Sequence, residues 1–263
     1  MKMNQAENVE KQYADDKNLS VRIKLHAKHS TNKQGFVSWL FEKYQFPNNS
    51  SILELGCGNG GQWDGRIEQL PSGSNLILSD LSDGMILTVK ETYSLFDHVS
   101  FKKIDIQNIF FDDETFDVVI ANHMLYHISD LDKAISEVYR VLKSGGKFYC
   151  TTNGNGGMRP FLYEAMKQFQ PDTKAFTQEW SFSLQDGAEI LQRQFSSVDR
   201  FEYEDSLAIT ETQDLIDWLK SGISFADYSE ENFDKLYNYF ESIRLKEGTI
   251  NIPKESGLFI SKK

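Results

Sequence analysis

Glycines packed behind a short apolar run restrict this chain more than any other feature. Ile52 to Leu55 has the pattern of a buried strand, and it ends in Gly56-Cys57-Gly58-Asn59-Gly60-Gly61. Glycine has no Cβ, so such a stretch can take positive φ and let a ligand come close to its backbone. The run therefore predicts a strand that turns sharply beneath a ligand. From the glycines alone, a loop with no ligand would look the same. The spacing 56, 58, 61 also satisfies G-x-G-x-x-G, a weak dinucleotide signal when it stands by itself. Glu54, two residues before the first glycine, separates these readings. A carboxylate there repels a pyrophosphate and suits a cationic ligand.

Three more apolar runs end in polar groups. Residues 75–80 finish at Asp80, which lies 22 residues after Gly58. An acidic strand end meets a ribose diol at about 20 residues in nucleotide-binding folds, and a carboxylate accepts from both hydroxyls. The alternative role for Asp80 is to cap a helix that starts near Ser82. Val99 to Ile104 leads to Asp105-Ile106, a carboxylate for an adenine amino group beside a side chain that covers the ring. Phe116 to Ala121 stops at Asn122-His123-Met124-Leu125-Tyr126-His127. Strand ends of this kind, in chain order, describe binding along the carboxyl edge of an open α/β sheet.

Glu54-Leu55-Gly56-Cys57-Gly58-Asn59-Gly60, followed by Asp80, Asp105 and Phe116-Asp117-Val118-Val119, resembles the class I S-adenosylmethionine-dependent methyltransferases. The nearest type is the small-molecule group that includes the ubiquinone and menaquinone biosynthesis enzymes. The resemblance covers residues 35–153 well and the remainder loosely. It implies a doubly wound, Rossmann-like α/β fold with a seven-stranded sheet whose last strand is antiparallel. It implies S-adenosyl-L-methionine as cofactor. Gly56, Cys57 and Gly58 would meet the methionine moiety, with Glu54 near its amino group. Asp80 with Leu81 would take the ribose, Asp105 with Ile106 the adenine, and Asn122 would lie beside the transferable methyl.

The coarse order alternates strand and helix. Helices are predicted at 34–46, 83–96 and 130–143, the last stopping at Gly145-Gly146. A fifth strand follows at 147–152, with further strands at 197–209 and 257–261. Two insertions, 154–195 and 211–250, break the alternation with many aromatics and predict a helical cap. Most of those aromatics pack on one another, and a few line an apolar acceptor pocket. Residues 34–263 are thus expected to form the methyltransferase domain with its cap.

Residues 1–33 are expected to form a lid. Leu19 to Ala27 fits a strand or a helical face, and Arg22, Lys24, His26, Lys28, His29 and Lys33 form a basic run. Such a run is a solvated face or a lid offering cations to an anionic acceptor. No Cys or carboxylate cluster joins His26 and His29, so no metal site is expected. The net charge of −11 argues against nucleic acid and anionic membranes as partners. No apolar run approaches the ~20 residues of a membrane helix. The chain begins without a signal-like stretch and holds two cysteines, Cys57 and Cys150, which predicts a cytoplasmic protein with reduced thiols.

A sulfonium is already an activated leaving group, so positioning the acceptor is the main task. A base is required only for a protonated acceptor, and His123 and His127 are the candidates. The fourth strand lacks an Asn-Pro-Pro-Tyr type of ending, and no catalytic cysteine pair is present. A small-molecule acceptor is therefore favoured. The alternatives are a non-catalytic, methyltransferase-like binding or regulatory protein, and an NAD(P)-dependent oxidoreductase.

Overall fold

Ile52 and Leu53 are sequence neighbours on opposite faces of one strand, and each face has its own core. A computed structural model describes residues 17–222, 225 and 228–263. The predicted lid residues 1–16 lie outside the described residues. At the centre is β1 (Ser51–Leu55), paired in parallel with β2 (Asn75–Asp80) and with β4 (Phe116–Asn122). β3 (Val99–Lys103) extends the sheet beside β2, and β5 (Leu142–Asn153) beside β4, both in parallel. β9 (Ser256–Lys262) lies antiparallel between β5 and β6 (Ser197–Glu202). The sheet is seven-stranded, in the order β3-β2-β1-β4-β5-β9-β6. The expected doubly wound sheet with its antiparallel last strand is what forms.

Alternate residues feed the two faces, as the strand period requires. Ile52, Val118 and Ile120 meet α2 (Phe36–Lys43) and α3 (Asp83–Tyr93) on one side. Leu53, Val119 and Ala121 meet α4 (Leu131–Val141) on the other. Ser82 caps α3 and Asp130 caps α4, each side chain accepting from a first-turn backbone N–H. The last helix of this layer is α6 (Gly187–Gln192), whose Leu191 joins the same core as α4. Residues 182–195 thus pack on the sheet, although they fall within the stretch expected to be cap.

A third core holds the cap together. It combines Leu25 of α1 (Lys17–His29), Leu162 of α5 (Met158–Lys167), Leu219 of α7 (Thr212–Lys220) and Phe240 of α8 (Glu230–Glu247). The ambiguous Leu19 to Ala27 segment is therefore helical. Residues 197–209 are two strands, because β7 (Ser206–Ile209) leaves the sheet and pairs with β8 (Ile250–Pro253) in the cap. The break falls at Asp205, whose buried carboxylate takes Ser30 Oγ at 2.5 Å, Asn32 N at 3.0 Å and the Lys254 ammonium. Those tertiary bonds turn a chain whose alternation would otherwise run on. The cap is accordingly helical with a two-stranded sheet, and not helical alone.

Candidate active site

β2 and β4 leave the central strand β1 in opposite directions, which opens a crevice above the carboxyl ends of the sheet. The glycine loop fills its floor. Gly60 has φ 75°, and a Cβ there would lie 2.7 Å from Tyr93 Cε2 and 2.9 Å from Val89 Cγ1. The loop is therefore pressed onto α3, and the Tyr93 hydroxyl donates to Gly60 O at 2.9 Å. Gly58 N donates to Asp80 Oδ2 at 3.0 Å, tying the loop to the end of β2.

Glu54 is buried beneath the loop. It accepts from Trp63 Nε1 at 2.5 Å and from Gln62 Nε2. Burial pushes its carboxyl up to about 7, against the pull of those two donors. A cation placed beside it would restore the carboxylate. Gln62 also accepts from Asn122 Nδ2 at 2.7 Å, and Asn122 Nδ2 reaches Tyr44 Oη at 2.9 Å. This fixes the Asn122 amide and leaves its Oδ1 buried without a partner. A buried acceptor of this kind awaits a donor.

Asp80 does not serve as the helix cap. Ser82 takes that position, and Asp80 Oδ1 accepts from Ser82 N at 2.9 Å. Burial raises the Asp80 carboxyl while the N–H groups of Ser82, Gly58 and Leu81 pull it back. Asp105 Oδ1 accepts from Gln107 N at 2.8 Å, and Ile106 beside it is buried. Glu54, Cys57, Asp80, Leu81, Asp105 and Ile106 all line one cavity of about 1500 Å³, together with Gly56, Gly58 and Asn122.

His123 and His127 line the same cavity. His123 has φ 50°, an uncommon backbone for a non-glycine residue, held by its N–H donating to Thr151 O and Oγ1 at 3.1 and 3.0 Å. His127 ends a short turn, Leu125–His127, with its ring 4.6 Å from Tyr126. Burial lowers both imidazoles to about 4, with Lys254 adding to the effect on His123 and Arg22 to that on His127. Both are neutral at physiological pH, which leaves an acceptor nitrogen on each ring but makes them weak bases. His26 of α1 is a third imidazole on the cavity, lowered to about 3 by burial and with Nδ1 unpartnered. The sequence offered His26 as a member of the basic run and as half of a metal pair. Among the described residues no group of three His, Cys, Asp or Glu side chains is placed to hold a metal.

The basic run divides. Lys28 pairs with Glu211 and Asp214 at 2.7 Å, and His29 Nε2 lies 2.8 Å from Asp214, so both bind α1 to the cap. Arg22, His26 and Lys33 face the cavity. Sequence reasoning passed over Tyr44, Gln62, Arg159 and Lys254, and took in Trp180 only as one of the cap aromatics. Only the conjunction of distant segments brings these residues to the site.

Residues 53–150 match the family described as methyltransferase domain. Over 113 residues the chain is 32% identical to the ubiquinone/menaquinone biosynthesis C-methyltransferase UbiE of Rickettsia prowazekii, covering 40% of this chain and 46% of that protein. The chain thus matches under half the length of that relative. Among solved structures, Haemonchus contortus phosphoethanolamine N-methyltransferase 2, in complex with phosphomonomethylethanolamine and S-adenosylhomocysteine, superposes with TM-score 0.62 at 19% identity, over 100% of this chain and 60% of that one. The [4+2]-cyclase SpnF gives TM-score 0.62 at 16% identity, over 98% and 97% of the two chains. Residues 53–150 therefore match a methyltransferase domain, and the sheet around them has the Rossmann-like fold of those structures.

Proposed function

We propose that this chain is an S-adenosylmethionine-dependent methyltransferase that acts on a small-molecule acceptor. The observation that carries the reading is the single cavity of about 1500 Å³ running from the glycine loop to the cap. A pocket for one drug-sized ligand measures roughly 300–1,000 Å³, so this space suits a cofactor and an acceptor together. The floor residues fit the cofactor's chemistry. Glu54, raised to about 7 by burial, and the orphaned Asn122 Oδ1 suit its ammonium group. Asp80, held by backbone N–H groups, suits the ribose, and Asp105 with Ile106 the adenine.

When bound, the cofactor supplies a methyl group on an activated sulfonium. The chain's own residues do the rest. The glycine loop and Asn122 would hold the cofactor at the end of β4, and the cap excludes water and orients the acceptor. Holding reacting atoms about 3–3.5 Å apart accounts for much of the acceleration in such transfers. His127 or His123, neutral above about pH 4, takes the acceptor's proton if it has one to lose. Helix α1 is the lid: Leu19 Cδ2 lies 3.0 Å from the position of a Cβ on Gly58. Among the described residues no helix is long and apolar enough to cross a membrane. Two free, buried thiols, Cys57 and Cys150, suit a reducing compartment, and a cytoplasmic location is part of the proposal.

Calorimetry with S-adenosylhomocysteine and with NAD tests the cofactor. Binding of NAD and not of S-adenosylhomocysteine would replace the reading with an oxidoreductase. Release of S-adenosylhomocysteine over a metabolite panel tests turnover, and binding without any release would make this a non-catalytic binding protein.

A further inference from the structure

Charge is divided unevenly along the cavity. Its floor holds Glu54, Asp64, Asp80 and Asp105, and the rest of its lining carries Arg22, Lys33, Arg159, Lys174 and Lys254 with one carboxylate, Glu255. The chain as a whole carries −11, so two guanidiniums on one wall run against its average. Both are mounted the same way. Arg22 of α1 lies over the Trp218 ring at 4.7 Å, and Arg159 of α5 over the Trp180 ring at 4.4 Å. A guanidinium stacked on an indole is fixed in orientation while its in-plane N–H donors stay available. Arg159 spends Nη2 on the carbonyls of Phe176, at 3.1 Å, and Gln178, leaving Nε and Nη1 unpartnered among the described residues.

Neither arginine has a carboxylate partner among the described residues, whereas the cavity's Lys254 is closed off by Asp205. Both belong to one corner. Trp180 stacks on Tyr126 at 4.9 Å, Tyr126 adjoins His127 at 4.6 Å, and the Arg22 charge acts on His127. From the other side, Phe176 lies 4.9 Å from Phe225. The space of a Cβ on Gly222 is bounded by Phe225 at 2.7 Å and Arg22 Nη1 at 3.4 Å. Phe176 itself is held at φ 58°, a strained backbone of the kind that gathers at ligand clamps. A part-buried cation without a counter-charge is costly, and an anionic ligand removes that cost.

We propose that Arg22 and Arg159 clamp an anionic group on the methyl acceptor, a carboxylate or a phosphate monoester on an apolar body, at the His127 corner. The clamp selects the acceptor and sets its orientation toward the floor. This rests on the methyltransferase reading above.

The test is calorimetry on the full chain, free and saturated with S-adenosylhomocysteine. The probes are phenylacetate and phenyl phosphate against their neutral counterparts phenylacetamide and benzyl alcohol. At least one anion should bind about tenfold or more tightly than its counterpart, as expected for charge-assisted hydrogen bonds. Which anion wins identifies the headgroup. Arg159→Gln and Arg22→Gln should each reduce the preference below about threefold and leave S-adenosylhomocysteine affinity within about twofold, since neither side chain contacts the floor. Arg159→Lys and Arg22→Met keep the aliphatic stems and serve if a glutamine variant misfolds: the lysine should retain part of the preference and the methionine lose it. Equal binding of neutral and anionic probes, no anion binding, or a preference that survives in both variants overturns the clamp. An anion preference without S-adenosylhomocysteine binding would sink the methyltransferase reading and leave the clamp standing.

Discussion

Asp80 and Arg159 face the same cavity and are held in place in opposite ways. Asp80 is fixed by backbone N–H groups of Gly58 and Ser82, within its own motif and the next turn. Arg159 is fixed by the face of Trp180 and by carbonyls of a strained loop, residues brought together only by the cap. The floor is thus acidic and anchored by main chain, and the roof is cationic and anchored by aromatic side chains. Backbone anchoring suits a ligand that never changes, because no side-chain substitution can easily remove it. Side-chain anchoring suits a ligand that differs from one relative to the next.

Four measurements would break or sharpen that division. The largest effect is expected at its seam. His127→Ala should lower turnover by about 10²–10⁴-fold while S-adenosylhomocysteine affinity stays near wild type, provided the acceptor carries a proton. Full activity in both His127→Ala and His123→Ala would leave positioning as the sole contribution of the seam. Next, Asp80→Ala removes charge-assisted bonds worth about 1.5–3 kcal/mol each, so cofactor affinity should fall well over tenfold with the fold retained. An unchanged dissociation constant would show that the ribose is held elsewhere.

The third measurement uses pH. The Glu54 carboxyl, raised to about 7, is protonated below that pH, and an arriving ammonium must displace the proton. Cofactor affinity should therefore climb with rising pH, by up to about tenfold per unit below 7, and level off above it. Glu54→Gln should flatten the curve. The smallest effect concerns three imidazoles on the cavity wall and has the same sign by a different route. His26, His123 and His127 are lowered from 6.5 to about 3, 4 and 4, so the unfolded chain binds more protons than the folded one between those values. Stability should fall as pH drops from about 6.5 toward 4, read as a melting temperature lower by several degrees, and replacing these histidines with glutamine should weaken the dependence.

The division also explains what was legible in the sequence. Glu54 to Gly60 could be read because its residues act on one another within a single turn. Asp80 and Asp105 could be read because a parallel sheet places consecutive strand ends along one edge. Within residues 34–152 the alternation of helix and strand followed from periodicity, as did the strand β9, although the sheet order and its antiparallel pairing came from the family resemblance. The single strand expected at 197–209 misled because alternation continues through Tyr203 and Asp205, while the turn is made by bonds to Ser30, Asn32 and Lys254. Arg22 and His26 stood out only as members of a basic run, and Arg159 carries no local signature at all. They become a site only when α1 and α5 fold over the sheet, and Gln62 acquires its part only by bridging Glu54 and Asn122.

Helix α1 belongs to both halves at once. Leu19 presses toward the glycine loop, while Leu25, about 9 Å further along the same rod, is 1% exposed inside the cap core, and Arg22 stands between them. A rigid rod cannot lift from the loop without disturbing the wall that receives the acceptor. The consequence is one of timing. Under the proposed function the cofactor would load while the acceptor wall is still incomplete, and the spent cofactor would depart only after the methylated product has gone. Steady-state kinetics should accordingly be compulsory-ordered, with S-adenosylhomocysteine competing against the methyl donor and giving mixed or noncompetitive patterns against the acceptor. A random order would mean that α1 bends between Leu19 and Leu25.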